Sequence, residues 1–469
     1  MKRLTALTVI AAALVVALTA TTAPAADRMW VGFHDDPTLR FDAGRQAAFL
    51  QARAANATVV RTLVEWHRVA PTKPANPTDP FDPAYKFDDL DEYVRNAQAA
   101  GIEVLMTIWG TPGWANGEQK PQFLPTNMAD FQAFAQALAT RYNGRTAGYP
   151  FVRFYGIWNE SNLATFLQPQ FDAAGKIVSP ANYARLAAAG YAGIKAGSPA
   201  ALVGVGETSS NGRDKRKAGQ TDTVAPATFA KGVAAANPRL KFDAWAHHPY
   251  PVPVNMKPTQ KVRYPNVSLL SMPRFEQDLD TWFKRKNVQI WISEYGHETA
   301  PGEPKGISEA QQAQYIPQAV SLLKADRRVQ MFVWFVLRDS SGSLWQSGLY
   351  GPDGRAKPAV GAFAGTMAPL DARNGKMVVK AGKKPVATIH LREFCTNNVV
   401  GSQVGSTIRV RLGKKLVGVT QVATSLLPDC TIKVQFPVVV AKKRTYTAEV
   451  DANTYNGNVA KRKITIVAG

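Results

Sequence analysis

Cysteine is almost absent from this chain: there are two in 469 residues, Cys395 and Cys430, both in its last quarter. Two thiols cannot build a four-cysteine zinc site or a disulfide-dense scaffold, and the six histidines fall in no HExxH or comparable ligand spacing. No metal and no organic cofactor is therefore expected. Long apolar runs are also missing once the first 26 residues are set aside, and no later stretch approaches the ~20 apolar residues of a membrane span. Several catalytic signatures are lacking too. Gly204-Val205-Gly206 has no third glycine for a dinucleotide loop, and neither a GxSxG nucleophile elbow nor a phosphate-cradling GxxxxGK(S/T) occurs.

Residues 1–26 do not read as part of a fold. Lys2 and Arg3 precede an apolar run from Leu4 to Leu18, and Ala23-Pro24-Ala25 offers a small-residue cleavage site, the pattern of a secretory signal peptide. Export makes a lone cysteine pair read as a disulfide, Cys395 to Cys430, closing a loop worth about 3 to 4 kcal/mol. Acidic residues are few, 35 against 56 Lys and Arg, for a net charge of +21. More than half of that excess lies in residues 371–469, where seventeen basic residues face five acidic ones. A solvated basic surface accounts for this, and so does retention on an anionic polymer such as a cell-wall component. Nucleic acid is not an expected partner, because export removes it and no recognition motif is present.

Strand-like and helix-like stretches alternate through most of the chain, which argues for α/β architecture with parallel strands. The apolar runs fall at 29–34, 58–65, 102–109, 152–158, 201–206, 242–246, 288–293 and 329–336, with helical spacing between them. Phe131, Phe134, Ala135, Leu138 and Tyr142 give the cleanest helical period, opened by Asn127 and closed at Gly144. Eight repeats predict a (β/α)8 TIM barrel over residues 27–366, longer than the typical ~250 residues because of the loops that follow its strands. Composition then changes. Alternating runs at 386–394, 407–419, 431–440, 445–450 and 463–467, with Gly413-Lys414-Lys415 and Asn456-Gly457 as turns, predict a small all-β sandwich over 371–469.

Two runs stop at a glutamate: Gly156-Ile157-Trp158-Asn159-Glu160 and Ile290-Trp291-Ile292-Ser293-Glu294-Tyr295-Gly296. A strand interior cannot hold an unpaired charge cheaply, so both carboxylates belong at strand ends, where a cleft begins. Two carboxylates facing one bond are the minimum equipment for acid/base glycoside chemistry. The other strand ends are unusually polar or aromatic: Asp35, Glu65, Trp109, Glu207, His247, His248, Tyr250 and Trp334. Carboxylates and amides for hydroxyls, with tryptophan faces for the C–H surface of a ring, describe a carbohydrate site.

At these residues the chain resembles the retaining β/α-barrel glycoside hydrolases of clan A, nearest to families 39 and 5. The resemblance spans residues 29 to about 365 and rests on Asn159-Glu160, on Ser293-Glu294-Tyr295-Gly296 three repeats later, on Arg61, on the His-Pro-Tyr of residues 248–250, and on the stretch from Ser347 to Pro358. It implies Glu160 as general acid/base, Glu294 as nucleophile and Asn159 as donor to the sugar 2-hydroxyl. Arg61 and Tyr250 would hold Glu294, and His248 would contact the sugar or the surroundings of the nucleophile. Beside that resemblance, the strand-end pattern itself puts Trp109 and Trp334 around the substrate, and Glu207 and Glu65 either against it or behind the residues that touch it. Relatives often carry proline after the acid/base glutamate, where this chain has Ser161. The C-terminal segment resembles bacterial immunoglobulin-like domains at Thr445-Tyr446-Thr447 and the hairpin after it. Together these imply a secreted retaining glycoside hydrolase. A catalytically idle carbohydrate-binding or wall-attached protein is the rival from another class. Transglycosylation at the same site is the rival among enzymes.

Overall fold

The computed structural model describes residues 29–341, 345–366, 376–391, 403–425, 431–454 and 459–468. The signal segment and both cysteines lie outside the described residues. Eight strands, β1 Trp30–His34, β2 Val59–Glu65, β3 Glu103–Trp109, β4 Phe154–Ile157, β5 Leu202–Ser209, β6 Ala244–His248, β7 Gln289–Tyr295 and β8 Val329–Phe335, pair in sequence order into a closed parallel barrel. Closure is made by β8 against β1, from Trp30 opposite Met331 to His34 opposite Phe335. Helices return the chain between strands and cover the barrel with their apolar faces. The helix Met128–Arg141 shows why they form where they do: the Asn127 side chain accepts from the Ala129 N–H at 3.0 Å, and Phe131, Phe134, Ala135 and Leu138 face inward.

Alternation along each strand splits its side chains between the helix layer and the barrel lumen. The lower lumen is apolar, filled by Trp30, Val59, Leu105, Phe154, Trp291 and Met331. Phe154 meets Trp30 and Trp291 edge-on, at centroid distances of 5.2 and 5.5 Å. One step higher the strands present small or polar residues. Gly156 is required there by close approach, since a Cβ would come within 2.4 Å of Glu207 Oε1 and 2.6 Å of Thr107 Oγ1.

Beyond the helix Pro358–Thr366 the regular structure of the described residues is all β. Strands β9 Lys376–Val379, β10 Val386–His390, β11 Gln403–Leu412, β12 Lys415–Ser425, β13 Thr431–Gln435, β14 Thr445–Thr454 and β15 Val459–Ala468 form a five-stranded sheet, β12-β11-β14-β15-β9, and a two-stranded sheet, β10-β13. Ile408, Val410, Val450 and Ile464 of one sheet share a core with Ile389, Ile432 and Val434 of the other. Gly413, at φ 61, makes the β11–β12 turn. The run at 407–419 is thus divided between two strands, and β9, only four residues long and paired parallel to β15, escapes the sequence pattern.

Candidate active site

Arg61 stands at the centre of the upper lumen, fully buried on β2. Its Nε donates to Thr107 Oγ1 at 3.0 Å, one terminal nitrogen donates to Glu294 Oε1, and the other donates to Asn159 Oδ1 at 2.8 Å and Glu207 Oε2 at 3.2 Å. A buried guanidinium is tolerated because carboxylates on both sides meet its charge. Its bond to Asn159 also fixes that amide: the carbonyl is turned down to Arg61, leaving the NH2 as the group free to donate into the cleft.

Glu294, near the end of β7, is held from three sides. Tyr250 Oη donates to its Oε2 at 2.8 Å, His34 Nδ1 lies 3.1 Å from its Oε1, and Arg61 takes the same oxygen. Burial by itself would raise its pKa, but the charges of His248 and Arg61 and the hydrogen bond with His34 outweigh it and hold the carboxyl well below the ordinary range. Glu160, in the loop following β4, touches neither Arg61 nor His34 among the described contacts. Its Oε1 lies 3.2 Å from His248 Nδ1, and its side chain is the more exposed of the pair, 13% against 9%. One carboxylate oxygen of each glutamate and a ring nitrogen of His248 all lie within 4.8 Å of one another.

His248 links the acids. Its Nδ1 faces Glu160 and, at 3.6 Å, Glu294, while its Nε2 is 3.0 Å from Glu207 Oε2 and 3.1 Å from Ser293 Oγ. Burial lowers its pKa, yet the Glu294 charge and the bonds to Glu160 and Glu207 prevail and push it up to about 9. The Glu160, His248 and Glu294 spacing could suit a divalent cation, but a metal ligand must be a neutral imidazole. Arg61 already meets the Glu294 charge there, so the carboxylate is paired without a cation. The backbone here is strained: Trp158, Glu160 and Glu207 take φ values of 68, 35 and 45, the left-handed region that costs a non-glycine residue about 1 to 3 kcal/mol.

The structure therefore brings Arg61, Asn159, Glu160, His248, Tyr250 and Glu294 into one cluster. Trp109 is half-buried at the rim, where its ring meets His67 and Phe166 and its Nε1 donates to the Phe166 carbonyl at 3.2 Å. Trp334 is corrected as a substrate contact, and of the two places open to Glu207 it takes the one behind the site. Glu207 is fully buried beneath the cluster, accepting from Ser293 Oγ at 2.6 Å and from Arg61, so it supports the site from below and offers no surface to a substrate. Trp334 is also fully buried: it points out of the barrel to Tyr295 and Phe363, with its Nε1 donating to Ser347 O at 2.8 Å. The neighbouring Phe335 points inward instead. Its ring lies 5.0 Å from His34 and 5.7 Å from Trp345, which in turn packs edge-on at 4.8 Å against Tyr250. Phe335, Trp345 and Tyr250 are the aromatic wall that sequence reading assigned to Trp334.

Sequence reading also missed His34 and Ser293. His34 had a signal, a polar side chain closing an apolar run, but Asp35 beside it drew the assignment. Asp35 proves to be a structural group, accepting backbone N–H bonds from Thr38 at 3.0 Å and from Leu337 and Arg338 at 3.1 and 3.0 Å. His247 faces the opposite way from His248, bonded to Thr208 and Val267, and burial lowers its pKa to about 3.

Among solved structures, the fold is similar to a family 39 glycoside hydrolase from Bacteroides cellulosilyticus, at 17% identity over 87% of this chain and 81% of that one, with a TM-score of 0.54. A subfamily 18 member of family 5 from Streptomyces cattleya, solved with GlcNAc, is similar at 15% identity over 76% and 85%, with a TM-score of 0.52. A comparison with curated protein sequences finds no match. Among family models, that of the cellulases, glycosyl hydrolase family 5, matches residues 29–339. Because that match covers well over half of the chain and takes in both strand-end glutamates, the protein belongs to glycosyl hydrolase family 5 and acts on glycosidic bonds.

Proposed function

We propose that the protein is a secreted retaining hydrolase of O-glycosidic bonds in a β-linked oligo- or polysaccharide, working by double displacement. The observation that carries this reading is the Glu160 to Glu294 approach, with carboxylate oxygens within 4.8 Å. Inversion needs room for a water between carboxyl groups about 6.5 to 9.5 Å apart, whereas retention places them about 5 to 5.5 Å apart. Glu294, held ionised by Arg61, His248 and His34, attacks the anomeric carbon. Glu160 gives its proton to the leaving oxygen and then takes one from the water that releases the sugar. Asn159 donates to the 2-hydroxyl, and Tyr250 steadies Glu294 through its Oε2. The wall of Phe335 and Trp345 takes the apolar face of the ring.

Proton NMR of the first-formed product tests the stereochemistry, and an inverted anomer rejects the assignment. Glu294→Ala abolishes turnover with every leaving group. Glu160→Ala retains the first step with activated leaving groups, and azide then restores turnover as a β-glycosyl azide. The signal segment supports export. In the C-terminal β region, seventeen basic residues against five acidic ones support a partner role for an anionic wall polymer, and Cys395 and Cys430 are proposed to be bonded there. Intact mass before and after reduction tests the bond, and two free thiols in the exported protein exclude it.

A further inference from the structure

The loops after β5 and β6 form one side of the cleft, and their charge is lopsided. From Tyr250 to Ser271 the sequence has Lys257, Lys261 and Arg263 and no acidic residue. The loop after β5 adds Arg213, Lys215, Arg216 and Lys217, with two acids, Asp214 and Asp222. Both acids are committed elsewhere. Asp214 accepts from the Ala225 N–H at 2.9 Å and from Thr228 Oγ1 at 2.7 Å, and Asp222 pairs with Arg216 at 3.1 Å. Among the described residues, neither Lys261 nor Arg263 has a carboxylate partner.

Between these loops lies a cavity of about 270 Å³, walled by Tyr250, Asn211, Gln260, Lys261, Arg263 and Asn266 among others, with no carboxylate in its lining. Tyr250 is shared with the reaction site, since its hydroxyl is the group bonded to Glu294. One residue, Tyr250, thus both lines the cavity and holds the nucleophile. Asn266 spends its carbonyl on the Gly212 N–H at 2.9 Å, which leaves the amide NH2 as its remaining polar group. The backbone that presents these groups is pinned: Ser268 Oγ donates to Gln260 O at 3.1 Å, His297 Nε2 meets Met256 O at 3.0 Å, and Arg274 stacks on Tyr264 at 3.8 Å. Cations and amide donors on a fixed frame, without a competing acid, recognise an anion attached to something bulkier.

We propose that this cavity is a subsite for an anionic sugar unit, carrying a carboxylate or a sulfate ester, next to the bond that is cut. The proposal rests on the hydrolase reading and deepens it, naming an acidic glycan as the substrate class.

The test titrates the full-length Glu294→Gln protein with matched oligosaccharides that differ only in charge. One arm sets glucuronate-substituted xylo-oligosaccharides against their carboxyl-reduced forms, and the other sets sulfated carrageenan oligosaccharides against desulfated ones. In at least one arm the charged member binds about tenfold or more tightly, and the arm identifies the anion. That preference shrinks as salt rises. Adding Lys261→Glu and Arg263→Glu reverses it, and Lys261→Met with Arg263→Met removes it with the melting temperature unchanged. Equal affinity in both arms, no binding at all, or a preference that survives both pairs of substitutions overturns the proposal. Survival of that kind would place the anion on the basic C-terminal region. Loss of the charge preference with wild-type hydrolysis intact leaves the hydrolase reading standing. A charge preference in a wild type that hydrolyses nothing removes that reading and keeps a binding site.

Discussion

The lower and upper halves of the barrel lumen are lined by the same strands only two residues apart, yet they obey opposite rules. On β4, Phe154 packs between two tryptophans, and two positions later Gly156 makes room for a carboxylate. On β2, Val59 is followed by Arg61, and on β7, Trp291 is followed by Ser293. Below, apolar area is removed from water at roughly 25 cal/mol per Å² and no group has an alternative state. Above, each polar atom must find a partner, and the partners hold one another: Glu207 depends on Arg61, Arg61 on Glu294, and His248 on all three acids. The lower half supplies stability. The upper half holds charges where a reaction needs them.

Substitutions that move one half without the other test this division. Arg61→Met has the largest effect expected, because it leaves Glu207 and Glu294 facing each other without their cation. Removing one partner from a buried ion pair costs about 3 to 5 kcal/mol. The same change raises the Glu294 pKa, so the acid limb of the kcat/KM profile moves to higher pH as activity falls. Thermal melts and a pH-rate profile read the two effects. Phe154→Ala should cost a similar 3 to 5 kcal/mol through the cavity it opens, with kcat per folded molecule unchanged. Denaturant unfolding combined with active-site titration checks this, and a kcat that falls with stability would mean the two halves are coupled.

Gly156→Ala lies on the boundary. Its new methyl presses on Glu207 and Thr107, costs about 1 to 3 kcal/mol, and displaces the Arg61 and His248 supports enough to lower kcat about a hundredfold. The last effect is a slope, small over any one pH unit. His248 is raised in the folded state to about 9 from an ordinary 6.5, so the folded protein holds more protons than the unfolded chain between those values. Its stabilisation is complete below pH 6.5 and is lost as pH rises toward 9, at no more than ~1.4 kcal/mol per pH unit. Melting temperature should fall across that window, and His248→Asn should flatten the fall.

Much of this molecule was legible in its order of residues. Buried parallel strands are continuous apolar runs, so all eight were located within a few residues, and a glutamate closing such a run has few places to go other than the cleft. Asn159, Glu160, Glu294, Arg61, His248 and Tyr250, which the structure gathers into one cluster, were singled out in that way or through the family resemblance that their motifs carry. What escaped depended on partners distant in sequence. Both neighbours in a buried strand can be aromatic, so nothing in Val333-Trp334-Phe335 states which ring faces the lumen. The pairing of β8 with β1, His34 opposite Phe335, decides it. Glu207 reads like any other strand-end acid until the register irregularity inside β5, with its own φ of 45, sets it beneath Arg61. Lys261 and Arg263 look like ordinary surface bases until the loops after β5 and β6 close a cavity against Tyr250. The sequence by itself determined which residue types stand at the ends of which strands, because burial imposes the apolar pattern before them. Only the tertiary structure decided which of those ends meet, since strand register and loop closure rest on contacts between segments far apart in sequence, 54 residues for Gly212 with Asn266 and 302 for Leu337 with Asp35.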